Sequence, residues 1–135
     1  MDSLTVPATI EYLDEVTDFV ESMIPPHCPD KLKLQLRLAV EEVFVNIASY
    51  AYEGKTGQAL IRCELLADPL RIRVCFTDSG IAFDPLAKED ADTSEEALIA
   101  REGGLGILLV KNTLDMVEYR RADEKNILTI EKRLD

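Results

Sequence analysis

The first half of the chain repeats its apolar residues at the spacing of helices. After a short β-prone segment, residues 3–7, which predicts an edge strand, apolar residues recur at three- and four-residue steps over residues 10–23. This spacing predicts an amphipathic helix that the prolines after it end. Asp30 is the predicted N-cap of a second, longer helix that ends near Glu53 and Gly54. The apolar stripe of that helix consists of Leu32, Leu36, Ala39, Val40, Val43, Ile47 and Ala51.

The hydrophobic period then changes from that of a helix to that of a strand. Residues 61–65 and 72–76 alternate apolar and polar side chains around a turn at Asp68 and Pro69, which predicts a hairpin with one buried face. A third helix is predicted at about residues 105–114, followed by two strands, residues 117–121 and 127–132, with a turn at 123–126. The pattern therefore predicts an α+β fold, a two-layer sandwich with helices on one face of a mostly antiparallel sheet.

Residues 84–102 break this regularity, because they are acidic and only weakly periodic. A loop of this length is uncommon unless it is a lid or a binding segment. We therefore expect a mobile lid, ordered by a ligand, at about residues 88–102. With no internal repeat and no linker-like segment in the 135 residues, we expect a single domain, 1–135.

Composition and charge narrow the class of function. The chain is 47% hydrophobic and 30% charged, as globular proteins are, and its net charge of -11 disfavours nucleic acid and anionic membranes as partners. It has neither an apolar run of roughly 18 residues nor a signal-like N-terminus. Three cysteines without a CxxC pair make zinc and a disulfide framework improbable. The expected location is the cytoplasm.

Glu42 and Asn46 are the first candidate pair. Four residues apart on a helix, they project from the same face, whereas Glu41 points about 100° away. An amide oxygen can bind Mg²⁺, and a carboxylate beside it can accept a proton from a hydroxyl. Taken alone, the two residues also fit the edge of a solvated helix face.

Asp78 and Gly80 are the second pair, directly after a strand. A carboxylate there can accept a hydrogen bond from the amino group of adenine, and a glycine beside it leaves room for the ring. An ordinary turn, in which Asp78 accepts from its own backbone, explains the pair equally well.

Three glycines, Gly103, Gly104 and Gly106, come immediately before the third helix. Backbone N–H groups without side chains in the way, at the positive end of a helix, can bind phosphates. Arg101 just upstream can reach a terminal phosphate or remain a solvated lid residue. Without the other motifs, a flexible hinge before a helix explains the glycines better.

Together these three motifs resemble the boxes of the GHKL superfamily, whose ATP-binding domain has the Bergerat fold. The N-box matches residues 38–46, the first glycine box matches residues 78–85, including Phe83, and the second matches residues 103–110. The segment from Asp115 to Tyr119 is also typical. Within the superfamily, the chain resembles the bacterial anti-sigma regulatory serine/threonine kinases.

The resemblance implies a role for each matched residue. Asn46 would bind Mg²⁺ and Glu42 would act as the catalytic base, with Arg101 as a catalytic residue of the lid. The residues that would bind ATP are Asn46, Asp78, Gly80, Phe83, Gly103, Gly104, Leu105 and Gly106. Within this set Asp78 and Gly80 would hold adenine, and Gly104 and Gly106 would line the phosphates.

The implied activity is transfer of the ATP γ-phosphate to a serine of a STAS-domain anti-anti-sigma protein. Members of this family often also sequester a sigma factor, usually as homodimers. Two alternatives stay open at this point. In one, ATP only shapes a surface that sequesters a protein, without phosphate transfer. In the other, the chain is the detached ATP-binding domain of a histidine kinase, which lacks support because there is no helix with a phospho-acceptor histidine.

Overall fold

The computed structural model describes residues 2–82 and 112–135. Within these residues, five strands form one sheet in the order β1-β2-β3-β5-β4, and each neighbouring pair is antiparallel. The strands are β1 (Asp2–Pro7), β2 (Gln58–Leu66), β3 (Arg71–Asp78), β4 (Met116–Ala122) and β5 (Lys125–Arg133). The predicted edge strand is confirmed as β1, and the predicted hairpin is confirmed as β2 and β3.

Two helices cover one face of this sheet. Helix α1 (Leu13–Ser22) follows a 3₁₀ turn (Ile10–Tyr12), so the helix predicted from residue 10 begins three residues later as an α-helix. Helix α2 (Asp30–Asn46) continues without a break into a π-helical turn (Ile47–Ala51). Glu53 and Gly54 then have positive φ, which ends the helical path where the sequence predicted.

The start of α2 corrects one prediction. Pro29, rather than Asp30, is the N-cap, with no side-chain capping hydrogen bond, and Asp30 is the first helical residue. The ring of Pro29 fixes φ at -59° and its ψ is 140°, so the chain is extended up to that residue. Asp30 still lies in the first turn, where its negative charge interacts favourably with the positive end of the helix dipole.

The core lies between the helices and the sheet. Every second residue is buried along β3 and β5 and from Ala59 to Cys63 of β2, and the apolar side chains among them pack with those of α1 and α2 in one core. The largest fully buried side chains of the core include Leu36, Phe44, Ile61, Ile72, Phe76 and Ile130. The predicted two-layer α+β sandwich is therefore confirmed.

The β4–β5 turn is shorter than the sequence predicted. Only Asp123 and Glu124 lie between the strands, and both have positive φ, 53° and 62°. Two residues with positive φ are what a tight hairpin turn requires, and they match the twist of the flanking strands. Lys125 and Asn126, predicted as part of the turn, are therefore the first residues of β5.

The predicted lid and nearly all of the third predicted helix lie outside the described residues. At the edge of the described part, Asn112 and Thr113 form a turn, so the helix predicted to reach residue 114 does not include them. The Asp115 N–H donates to the Glu131 carbonyl oxygen at 2.9 Å, which already brings the chain into the sheet before β4 begins. No helix of the described part is long and apolar enough to cross a membrane.

Candidate functional site

A pocket opens where the carboxyl end of α2 meets the ends of β3 and β5. Its empty space, together with the solvent at its mouth, amounts to about 390 Å³, and it brings together two of the predicted site residues, Asn46 and Asp78. The other lining residues are Val43, Ile47, Ala51, Phe76, Tyr119, Asn126 and Leu128. The pocket is therefore mostly apolar with a few polar groups, as small-molecule sites usually are.

Asn46 is the last residue of α2 and lies at the wall of this pocket. Its side chain is 4% exposed, and neither Oδ1 nor Nδ2 has a hydrogen-bond partner among the described residues. The π-helical turn begins at the next residue, and such turns inside helices occur frequently at functional sites. A buried amide without a partner is energetically unfavourable, so its hydrogen-bonding and metal-binding capacity is free for a ligand.

Asp78 is the last residue of β3, and two donors of the described part of the chain hold it. Its Oδ1 accepts from the backbone N–H of Gly80 and from Nδ2 of Asn126, both at 2.9 Å. The bond from Gly80 is the one that an ordinary turn would make, so Asp78 does stabilise the turn that follows β3. Asp78 is nevertheless only 6% exposed and lines the pocket, which a solvated turn residue would not do.

Gly80 is needed because its backbone packs directly on the π-helical turn. A Cβ at this position would lie 2.1 Å from the carbonyl oxygen of Ala51. The same carbonyl accepts the N–H of Ile81 at 2.7 Å. The absence of a side chain at residue 80 thus lets the loop after β3 attach to the end of the helix that carries Asn46.

Tyr52 fixes the same loop from a second direction. Its hydroxyl donates to the carbonyl of Gln58 at 2.5 Å and accepts the backbone N–H of Ser79 at 2.9 Å. One side chain therefore ties together the segment after the π-helical turn, the start of β2 and the loop after β3.

Asn126 is a site residue that sequence reasoning missed. It is 5% exposed, and its Nδ2 donates to Asp78 Oδ1 at 2.9 Å and to the carbonyl of Ile81 at 2.7 Å. Its Oδ1 accepts from the Tyr119 hydroxyl at 2.5 Å and from Arg121 Nη1 at 3.2 Å. The signal that would have identified Asn126 is the pairing of β3 with β5, which places it directly opposite Asp78.

Arg121 connects the hairpin to the loop after β3. Besides its bond to Asn126, its Nη1 donates to the carbonyl oxygen of Gly80 at 2.8 Å. A guanidinium group is always charged and only donates, so it fixes the acceptors around it. The loop after β3 is therefore attached on one side to the π-helical turn and on the other to β4.

The two neighbouring glutamates of α2 have different surroundings. Glu41 accepts from Arg37 Nε at 3.1 Å, and Arg37 Nη1 also donates to Glu21 of α1 at 3.0 Å. Hydrogen bonds to Glu21 and then to Glu41 raise the pKa of the Arg37 guanidinium. Glu42 is partly buried and one turn before Asn46, although it is not among the residues that line the pocket.

The remaining predicted site residues lie outside the described residues. They are Phe83, Arg101, Gly103, Gly104, Leu105 and Gly106. Their roles stay predictions.

Comparison with known structures defines the class of the fold. The chain superposes on the histidine kinase domain of a blue-light activated histidine kinase from Erythrobacter litoralis EL346 with a TM-score of 0.61 and 15% identity. The superposition covers 96% of this chain and 62% of that one. The chain therefore shares its fold with this histidine kinase domain.

The family follows from the sequence comparison. Residues 6–132 match the model of the histidine kinase-like ATPase domain, and the chain belongs to this family. It is 31% identical over 88 residues to the serine-protein kinase RsbW of Listeria monocytogenes, covering 62% of this chain and only 55% of that protein. It is 28% identical over 137 residues to RsbW of Halalkalibacterium halodurans, covering 97% of this chain and 82% of that protein.

Proposed function

We propose that this chain is a Mg-ATP-dependent protein serine kinase of the anti-sigma regulatory type, which transfers the γ-phosphate of ATP to a serine of a STAS-domain anti-anti-sigma protein. The observation that carries the proposal is the pocket in which Asn46, whose amide has no partner among residues 2–82 and 112–135, lies together with a fixed carboxylate, Asp78. The similarity to proteins named serine-protein kinase supports the choice of reaction.

The residues present fit a magnesium nucleotide. Asn46 offers a neutral oxygen that no described residue occupies, and Mg²⁺ is typically bound through one or two protein oxygens, several waters and the phosphates of the nucleotide. The ion, when bound, neutralises charge on the phosphate oxygens during transfer. Asn46 would hold it at the end of α2, beside the helical turn that carries Glu42.

Asp78 would recognise the base of the nucleotide. Both hydrogen bonds that it accepts from described residues go to Oδ1, which leaves Oδ2 for a donor on the ligand. The exocyclic amino group of adenine is such a donor, and the apolar walls formed by Ile47 and Phe76 suit its ring.

Glu42 would act on the protein substrate. In the proposed step the serine Oγ forms a bond to the γ-phosphorus, the bond from that phosphorus to the β,γ-bridging oxygen breaks, and ADP leaves. The proton of the serine hydroxyl passes to the carboxylate of Glu42, or is oriented by it. Glu41 is unsuited to this role because it lies about 100° away around α2, on the side that faces Arg37.

The rest of the proposal rests on the family resemblance. The glycine turn with Leu105 would bind the phosphates, Arg101 would act from the lid, and Phe83 would contact the nucleotide. A sigma factor is proposed as a second partner, and the protein is proposed to act as a homodimer in the cytoplasm.

The test is phosphate transfer from radiolabelled ATP to STAS-domain proteins of the same organism, with Glu42→Gln beside the wild type. A general base typically contributes about 10²–10⁴-fold in rate, so the variant should lose transfer at the lower end of this range and keep its ATP affinity. Glu41→Gln is the matched control and should transfer at nearly the wild-type rate. If Glu42→Gln is as fast as the wild type, the base lies elsewhere. If the wild type binds ATP and a protein target but transfers nothing, the chain is a sequestering module.

A further inference from the structure

A row of polar side chains crosses the sheet at the edge of the pocket. Asp78 of β3 lies opposite Asn126 of β5, and Asn126 lies opposite Arg121 of β4. The hydrogen bonds follow the same order, from Arg121 to Asn126 at 3.2 Å and from Asn126 to Asp78 at 2.9 Å. The guanidinium of Arg121, on edge strand β4, is thus connected through the buried amide of Asn126 to the carboxylate of Asp78, which would recognise the base.

The orientation of this amide follows from its neighbours. Arg121 can only donate, so the oxygen of Asn126 has to face it, and the nitrogen then faces Asp78 and the carbonyl of Ile81. The Tyr119 hydroxyl adds a second donor to the oxygen at 2.5 Å. These four bonds use both N–H groups and both lone pairs of the amide, so the side chain has one defined position.

We propose that Asn126 is a positioning residue that sets the base selectivity of the site, because it holds one oxygen of Asp78 and leaves the other as an obligatory acceptor for an amino group. The inference rests on the proposed function, since it presumes that a nucleotide occupies the pocket. Asn126 does not read the base itself, because its donors and acceptors are already used within the protein.

The selectivity follows from the chemistry of the carboxylate. An ionised Asp78 only accepts hydrogen bonds, so it favours a base with an amino group at the facing position and disfavours a base with a carbonyl oxygen there. If the side chain of Asn126 is removed, Asp78 loses one of the two donors that the described residues provide, and its carboxylate can rotate. The carboxylate would then contact solvent or other groups, and the preference for the amino group would weaken.

The experiment measures the affinities of ADP and inosine diphosphate with Mg²⁺ by calorimetry, because inosine has a carbonyl oxygen where adenosine has its amino group. The wild type should prefer ADP by about 10- to 100-fold, as expected for a hydrogen bond to a charged group. Asn126→Leu, of similar size, should reduce this ratio to within about threefold. Arg121→Leu should give an intermediate ratio, and the exposed neighbouring Arg120→Leu is the matched control with the wild-type ratio.

The ratio of the ADP and inosine diphosphate affinities distinguishes a positioning role of Asn126 from a purely structural one. If Asn126 only stabilises the sheet, both nucleotides weaken equally and the wild-type ratio remains, which overturns the inference. If Asn126→Leu does not fold, Arg121→Leu at its exposed position serves as the test. An unchanged ratio of the two affinities in that variant also overturns the inference. If the wild type binds neither nucleotide, the proposed function itself fails. If the wild type prefers ADP but no variant changes the ratio, only the inference fails.

Discussion

The two polar walls of the pocket differ in how completely their hydrogen bonds are formed. On the sheet side, Asp78 and Asn126 are buried and bonded to each other, to backbone groups and to Arg121. On the helix side, Asn46 is equally buried, but its amide has no partner among the described residues. Both walls are reached by the same loop after β3.

This difference indicates two kinds of recognition in one pocket. The sheet side is preorganised, because its carboxylate is already oriented before any ligand arrives. The helix side carries the energetic penalty of an amide that the described residues leave unsatisfied, and a ligand that supplies a metal ion would relieve this penalty at the amide oxygen. Substitutions on the sheet side should therefore lower both the affinity for nucleotide and the order of the pocket. Substitution of Asn46 should weaken nucleotide binding without lowering the stability of the protein.

The largest expected effect on the sheet side comes from Asp78→Asn. The amide oxygen can still accept from Gly80 and Asn126, but its other group then donates where adenine also donates. We expect adenine nucleotide affinity to fall by about 1–3 kcal/mol, measured by calorimetry. Asp123→Asn, in the exposed β4–β5 turn, is the control and should bind as the wild type does. Equal affinity in Asp78→Asn would mean that Asp78 serves only the turn.

Gly80→Ala tests the attachment of the loop to the π-helical turn. Because the new Cβ would lie 2.1 Å from the Ala51 carbonyl oxygen, the loop or the turn has to move. Overpacking of this kind typically costs about 1–3 kcal/mol, to be measured as the free energy of unfolding in urea. The exposed neighbour Ser79→Ala should change stability little, since Ser79 uses its backbone N–H in the bond to Tyr52. Wild-type stability of Gly80→Ala would contradict the close packing.

Asn46→Leu should change stability least, and it should stabilise the protein where Gly80→Ala destabilises it. Replacing a buried amide that no described residue pairs with by an apolar side chain of similar size removes its desolvation penalty, so the nucleotide-free protein should gain about 1 kcal/mol. Thermal unfolding without nucleotide measures this, with Asn112→Leu at an exposed turn as the control. A clear loss of stability in Asn46→Leu would show that the amide has partners in solution and that the two walls do not differ.

The parts of the fold that depend on local patterns were predicted correctly from the sequence. The alternation in residues 61–65 and 72–76 predicted the β2–β3 hairpin because one face of each strand is buried. The spacing of apolar residues predicted α1 and α2 with only small errors at their ends. The chemistry of Asn46 and Asp78 predicts both as site residues, and the structure places both in one pocket.

The parts that were missed depend on backbone geometry and long-range pairing. The π-helical turn at Ile47–Ala51 is not visible in the sequence, because its apolar residues also fit an α-helix. The sequence predicts Asn126 as part of the turn at residues 123–126, whereas it is the second residue of β5. Its role follows only from the register that sets it opposite Asp78, and a register between distant strands is not determined by either strand alone.

The most direct test of the account is the dependence of ADP affinity on Mg²⁺ in the wild type and in Asn46→Leu. Calorimetry with and without the metal ion should show that Mg²⁺ strengthens binding to the wild type, whereas Asn46→Leu, although folded and at least as stable, binds ADP equally with or without Mg²⁺. Two results would contradict a magnesium-nucleotide site at Asn46: a wild type that binds no nucleotide at millimolar concentration, or a Mg²⁺ effect of the same factor in both proteins.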